Sequence, residues 1–348
     1  MERIDDRPEE RLLKALIYGN PGTGKTSIGV TAPEPLILLS ERQGMTHIRH
    51  AAARLGIPTP RTLLMRTAQD YRDVLRTLRM PPAKDFVVRD RDGNEIVRFP
   101  GWWPKTCVVD SITDAMKIFA DEVQQQSPPK NGKDGLPVLP ERYWGVLIDR
   151  CEKFVRLFRD LPMHTLFLAL LADDRKEDDD DEESAKVGPQ LATKGLRGVA
   201  SAAVNVVGVT YRRVKRAKND EIERRDGQVV YEFGVLTYGP GYMVTKPLRP
   251  LRDREVPDFG NWIGRVFEGL STAPEAPEFV PGSEGTPEPA PAAEPAPAAA
   301  PPMPEPAPEP THDPAVDGPA PAETTPETEA TEEKPATKKS RRGREEGV

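Results

Sequence analysis

Regular patterning starts at Leu12, where LLKALIYG sets an apolar run directly before a glycine-rich turn and a helix start, the whole spanning 12–27. A second apolar run, PLILLSE at 35–41, follows within a few residues, the stretch from Gly44 to Leu55 has helical spacing, and TLLMRT at 62–67 reads as a third strand. Thr67 and Asp70 have the spacing of a capping box for a helix through Leu78. FVVRDRDGNEIVRF at 86–99 alternates about an Asp-Gly-Asn turn and predicts a β-hairpin inserted at about 84–101. The glycine of DRDG stands at the wrong offset for an EF-hand loop, so this is a plain turn.

TCVVD at 106–110 predicts a short buried strand, followed by helices from Ser111 to Gln126 and from Glu141 to Leu161, with the Pro-, Gly- and Lys-rich SPPKNGKDGLPVLP between them. HTLFLALLA at 164–172 is a further buried strand. Strand-like patterning continues in AVNVVGVTYRRV (203–214), VVYEFGVLTY (229–238) and GYMVTKP (241–247), and DFGNWIGRVF (258–267) predicts a closing amphipathic helix. Strands separated by helices imply an α/β fold: a mostly parallel sheet with helices on both faces and antiparallel strands at one edge. There is no internal repeat.

Composition changes this picture at one place. From about Ser271 the chain turns into Pro, Ala, Glu and Thr, and 19 of its 39 prolines fall in the last 78 residues. Such a segment offers too little apolar surface to offset its ordering entropy, so residues 1–270 are expected to form one domain and 271–348 a disordered tail with a basic tip, KKSRRGREE. The net charge of -7 hides an uneven distribution, because the tail carries 16 acidic and 6 basic residues. The acidic loop at 173–184 opens with DDRKEDDDDEE, which holds nine acids and two bases. With both segments set aside the body is strongly basic, which suits a polyanionic partner. Cys107 and Cys151 supply no framework of bridges, the start MERIDDRPEERLLK lacks the apolar core of a signal peptide, and no stretch has the length of a membrane span. A cytoplasmic protein with no membrane association is expected.

The chemistry is concentrated in Gly19-Asn20-Pro21-Gly22-Thr23-Gly24-Lys25-Thr26, which satisfies G-x-x-x-x-G-K-[ST] at every fixed position and is followed by Ser27. Glycines let successive backbone N–H groups turn inward around a phosphate, the Lys25 ammonium meets the β and γ oxygens, and Thr26 offers a hydroxyl to Mg²⁺. An ordinary strand-to-helix turn would not account for the lysine. Asp110, at the end of its apolar strand, fits the acid that holds the metal through its water shell, so ATP and Mg²⁺ are the expected ligands. Many ATPases place a glutamate after that aspartate; here Ser111 stands there, and the attacking water needs a carboxylate from a neighbouring strand end. Glu41, at the end of PLILLSE, is the candidate, with a solvated acid paired to Arg42 as the alternative.

A phosphate loop, a strand ending in Glu and a strand ending V-V-D-S together resemble the RecA-type ATPase core, and more closely the short RecA-like ATPases of bacteriophages that act in single-strand annealing or recombination. The resemblance runs from about Leu13 to Phe267. It implies a RecA-like P-loop fold, Glu41 as general base, and catalysis by Lys25. It also implies single-stranded DNA bound by loops at 127–140, with Lys130 and Lys133, and at 173–198, with Lys186, Lys194 and Arg197. The second loop includes KVGPQLATKGLRG (186–198) but begins with the acid run, which departs from what a DNA-binding loop needs.

ATPases of this core assemble head to tail as rings or filaments, so a homo-oligomer is implied. TKPLRPLRDRE (245–255) then supplies candidates for a cation acting on the next subunit's site: Lys246, Arg249, Arg252 and Arg254; a solvated basic hairpin is the other reading. The function implied is a DNA-stimulated ATPase of phage recombination, annealing or replication in the bacterial host cytoplasm. A nucleotide-sensing scaffold or loader, recruiting a replication or single-strand-binding protein through the tail, is the alternative from another class. His47 and His50 stand at i, i+3 with no third ligand, and Trp102 and Trp103 read as edge packing against the sheet rather than as base-stacking surfaces.

Overall fold

The computed structural model describes residues 11–128, 141–174, 187–217 and 221–267, with short strands at 130–131, 137–138 and 278–279. In chain order the first half comprises β1 (Lys14–Gly19), α1 (Lys25–Val30), β2 (Pro35–Leu39), α2 (Gly44–Leu55), β3 (Arg61–Leu64), α3 (Ala68–Leu78), β4 (Phe86–Arg89), β5 (Glu95–Phe99), β6 (Thr106–Asp110) and α4 (Ile112–Gln126). The second half comprises β7 (Lys130–Asn131), β8 (Pro137–Val138), α5 (Glu141–Arg159), β9 (His164–Asp173), β10 (Val187–Pro189), α6 (Lys194–Ala203), β11 (Val206–Val214), β12 (Arg224–Arg225), β13 (Gln228–Val229), β14 (Tyr231–Leu236), β15 (Arg254–Glu255), α7 (Phe259–Phe267) and β16 (Glu278–Phe279).

The main sheet runs β15-β14-β11-β1-β9-β6-β2-β3. The six strands from β11 to β3 are parallel, and β14 and β15 close one edge antiparallel, as the patterning predicts. Side chains alternate faces along each strand, so the apolar runs feed two separate cores. Leu16, Tyr18, Leu36, Leu38, Cys107, Val109 and Phe167 pack with α3, α4, α5 and α6 on one face. Ala15, Ile17, Ile37, Leu39, Val108, Leu166 and Leu168 pack with α1, α2 and α7 on the other. Strands buried on both faces explain the uninterrupted apolar sequences of β1, β2, β6 and β9.

Local signals act where the sequence places them. Thr67 Oγ1 accepts from the Asp70 amide at 3.2 Å and the Asp70 carboxylate accepts from the Thr67 amide at 2.9 Å, which closes the capping box of α3. The β4–β5 hairpin stands apart from the main sheet, and Trp103 packs edge-on against Phe86 with ring centroids 5.4 Å apart. Arg61 lies 4.5 Å over the ring of Trp102. At the antiparallel edge, Arg265 of α7 forms a buried ion pair with Glu255 of β15 and donates to the Pro250 carbonyl at 2.9 Å, tying helix to edge.

Four features differ from the sequence expectation. Lys194–Ala203 is a helix that begins inside the span 173–198 implied as a loop by the resemblance; Thr193 caps it, and Leu196 and Ala200 on one face are buried. GYMVTKP is no strand: Met243 and Lys246 make only isolated bridges, to Val187 and Val207. β10 pairs with the end of β9, beyond the reach of its parallel neighbours. Finally, Glu278–Phe279, inside the segment read as tail, pairs by backbone with β14. Lys133, Lys186, the side chain of Lys130, the acidic loop beyond Asp174 and the rest of the tail lie outside the described residues. Among the described residues no helix is long and apolar enough to cross a membrane.

His164 opens β9, and its Nδ1 accepts a hydrogen bond from the Leu13 amide at 2.9 Å. Burial, helped by the nearby Lys14 charge, pulls its pKa down from 6.5 to about 4. The folded chain therefore binds fewer protons here than the unfolded chain does. The stability involved is present above about pH 6.5 and is lost as pH falls toward 4. We expect chemical denaturation to show on the order of 1 kcal/mol more loss between pH 7 and pH 5 in the native chain than in His164→Asn, which keeps an acceptor without a titrating ring, solvent screening at this half-buried group reducing the full effect. Identical losses in both would contradict this assignment.

Candidate active site

The glycine-rich turn after β1 sits at the carboxyl edge of the parallel strands, where an open α/β sheet builds its binding crevice. Gly22 and Gly24 take φ of 73° and 90°, the left-handed region that favours glycine. Gly19 is required for a different reason: a Cβ there would meet Thr210 Oγ1 of β11 at 2.0 Å and its carbonyl oxygen at 2.9 Å. Thr210 Oγ1 is also 2.6 Å from Thr23 Oγ1, and Thr23 donates to the Asn20 carbonyl at 2.7 Å. The loop is thus pinned to β11 at its middle.

Lys25 turns back into this loop, donating to the carbonyls of Gly19 and Asn20 at 2.8 Å each. Burial lowers its pKa to about 8, and the charge of Asp110 opposes that fall. Thr26 Oγ1 donates to Asp110 Oδ2 at 3.0 Å. Asp110 ends β6, two strands from β1, so the contact spans β9. Burial pushes the Asp110 carboxyl above its usual range, while Thr26 and Lys25 pull it back. These two oxygens, a hydroxyl and a carboxylate, form the hard donor set that suits Mg²⁺, which takes one or two protein oxygens and completes its shell with phosphate and water.

Ser111 is the N-cap of α4, accepting from the Asp114 amide at 3.2 Å and donating to the Asp114 carboxylate. The peptide joining Asp110 to Ser111 is cis. A glutamate in this position could not make the same cap, and the acid next to Asp110 is accordingly found on another strand. β2 lies beside β6 with Leu39 opposite Asp110, and the Ser40 amide donates to the Asp110 carbonyl at 3.0 Å. Glu41 follows immediately.

A cleft of about 600 Å³ opens over these groups, lined by Lys25, Thr26, Glu41 and Asp110 together with Pro21, Gly22, Gly24 and Ser27. Its size matches a nucleotide. Of the predicted loop residues, Gly19 and Asn20 contribute carbonyls to Lys25 and Thr23 turns toward β11. Among the described residues the Glu41 carboxylate has no ion-pair partner, Arg42 included.

Several cleft residues escaped the sequence reading: Asp114, whose carboxylate pairs with Lys117 at 2.7 Å, His47 and Arg54 on α2, and Arg212 and Phe233 from β11 and β14. Arg54 donates to Ser27 Oγ at 3.0 Å. His47 drew notice only for its spacing to His50. The helical period of α2 sets residues 47 and 54 two turns apart on one face, a signal that was available. Among the described residues no group of three His, Cys, Asp or Glu side chains could hold a metal ion.

Two residues expected to act on partners are engaged within the domain. Arg197 has a side chain only 13% exposed, pairs with Asp174 at 2.5 Å, and donates to the Pro189 carbonyl at 3.1 Å. The Lys246 ammonium donates to the Val204 carbonyl at 2.5 Å and to Ala202 at 3.4 Å, satisfying the end of α6. Lys194 is exposed and 3.4 Å from Asp174. Arg249, Arg252 and Arg254 are exposed, and none lines the cleft of its own chain.

The sequence profile described as AAA domain matches residues 11–231, spanning the loop, Glu41, Asp110 and the strands on both sides of them. The chain belongs to the AAA domain family. Its nucleotide cleft is therefore that of a P-loop ATPase. Among solved structures, the flagellar accessory protein FlaH from Methanocaldococcus jannaschii is similar over 70% of this chain and 83% of that one, at 8% identity and a TM-score of 0.29. No curated protein sequence matches.

A buried acid with a raised pKa opposes folding at neutral pH, since the folded state must hold a charge it resists. Asp110→Asn removes that charge and keeps an acceptor for Thr26. We expect this AAA domain to melt at a higher temperature without nucleotide when Asp110 is Asn, and to lose the stabilisation that Mg²⁺ with ATP gives the native chain. Thermal denaturation with and without the two ligands checks both; a lower melting temperature for the unliganded variant would contradict the energetic argument.

Proposed function

We propose that this AAA domain hydrolyses ATP with Glu41 as general base, and that it acts on single-stranded DNA in phage recombination, annealing or replication as a homo-oligomer. One observation carries the catalytic part: Glu41 and Asp110 leave adjacent strands in register and enter one cleft with Lys25 and Thr26. Of the three acids lining that cleft, Asp110 is engaged by Thr26, and Asp114 by Ser111 and Lys117. Glu41 alone of the three has no side-chain hydrogen-bond or ion-pair partner among the described residues, which suits it to accept a proton from water.

The chain's own groups divide the work. The loop amides and Lys25 hold the triphosphate, the ammonium exchanging two carbonyls for phosphate oxygens, and Arg54 steadies Ser27 at the loop's far end. Thr26 and Asp110 would hold Mg²⁺, which supplies charge neutralisation at the β and γ oxygens. Glu41 orients a water against the terminal phosphate and takes its proton. The DNA part rests on the basic balance of the body outside the acid run, on the exposed Lys194, and on the resemblance to phage recombination ATPases.

The test is ATP turnover with and without single-stranded DNA. Glu41→Gln is expected to keep ATP binding while turnover falls about 100-fold or more, and Lys25→Ala to lose binding. Stimulation of the native chain by DNA supports the recombination reading. Turnover indifferent to DNA, with another protein bound through residues 271–348, would favour the nucleotide-sensing scaffold or loader instead.

A further inference from the structure

We propose that Arg212 is a second phosphate-binding cation of the nucleotide cleft, acting within its own subunit on the flank opposite Asp110 and Glu41. This rests on the cleft binding ATP, as above, and adds a residue and a direction of contact to it.

The placement follows from strand geometry. β11 pairs in parallel with β1, Tyr18 standing opposite Val209, so Thr210 falls level with Gly19 and touches the loop at Thr23. Residues two apart in a strand share a face, and Arg212 is therefore about 7 Å further along the same face as Thr210. That puts it beyond the carboxyl end of β1, where it lines the cleft with Pro21 and Gly22. Phe233, directly opposite Arg212 on β14, is buried against the loop, its ring carbon 3.5 Å from where a Cβ on Gly24 would stand. In strand order β11 lies on one side of β1, while β6 and β2 lie on the other. Triphosphate oxygens turned toward Thr26 and Asp110 leave others turned toward Arg212.

The charge environment agrees. Arg212 is exposed, whereas the partly buried arginines of the domain have carboxylates: Arg197 has Asp174, Arg265 has Glu255, and Arg72 and Arg150 share Glu122. The next residue, Arg213, on the other face of β11, pairs with Glu232 at 2.9 Å. Among the described residues Arg212 has no carboxylate partner; its guanidinium rests 4.8 Å from the centroid of the Tyr231 ring. Stacking on an aromatic face restrains the side chain without neutralising it or using its N–H groups. A guanidinium held so, beside a phosphate loop, offers a planar fork for two oxygens.

The experiment measures ATP and ADP affinity and ATP turnover for the native chain, Arg212→Ala, Arg212→Lys and the control Arg213→Ala. We expect Arg212→Ala to weaken ATP roughly 10- to 100-fold and ADP less, Arg212→Lys to recover part of the loss, and Arg213→Ala to match the native chain. Mixing Arg212→Ala with Lys25→Ala subunits separates cis from trans: no recovery of turnover supports action within one subunit, and recovery overturns it. Equal losses for ATP and ADP would place the contact short of the γ-phosphate and overturn the direction of contact proposed. Unchanged ATP affinity in Arg212→Ala, while Lys25→Ala binds none, would overturn the inference alone. A native chain that binds no ATP would overturn both this inference and the ATPase reading beneath it.

Discussion

A carboxylate buried at the edge of a parallel sheet is costly to keep charged, and the site is built around the groups that keep Asp110 so. Thr26 reaches it by hydrogen bond across β9, and the Lys25 charge favours its ionised form. Neither could do so unless β1 and β6 were held in fixed register, which the paired ladders through β9 provide. Low dielectric makes the acid expensive without ligand and strengthens its hold on a divalent cation when one arrives. The two apolar cores that sandwich the sheet are what place those groups away from water.

The same logic sorts the remaining charged groups. Ser111, which displaces the glutamate of many ATPases, begins α4 and occupies Asp114, so the cap of a helix also removes an acid from competition. Glu41 gains its place from β2 lying against β6 rather than from its sequence neighbours. On the other flank, strand alternation turns Arg213 away from the cleft to pair with Glu232, while Arg212 faces the loop and rests on Tyr231. Which charges in this cleft have partners and which do not is thus set by the register of the strands.

Much of this was legible in the sequence because it is local. The phosphate loop declares itself by fixed glycines and a lysine, the capping box of α3 by two residues three apart, and the parallel sheet by apolar runs that do not alternate. Glu41 was legible as well, through the absence of a glutamate at 111. What was hidden depends on partners far along the chain. Arg197 and Lys246 read as free surface cations because Asp174 and the carbonyls at the end of α6 become their neighbours only on folding. α6 begins inside the span 173–198 that the resemblance assigns to a loop, and its formation reflects burial of Leu196 and Ala200. Arg212 carried no motif at all; only the register of β11 against β1 brings it to the loop.

The central claim is that an acid from β2 and an acid from β6 serve one nucleotide, the first through water and the second through metal. The most direct measurement is a structure of the domain with Mg²⁺ and a non-hydrolysable ATP analogue. The account predicts the Glu41 carboxylate within about 2.6–3.2 Å of a water in line with the terminal phosphate. A Glu41 side chain turned to solvent, with Asp114 released from Ser111 and holding that water, would contradict it.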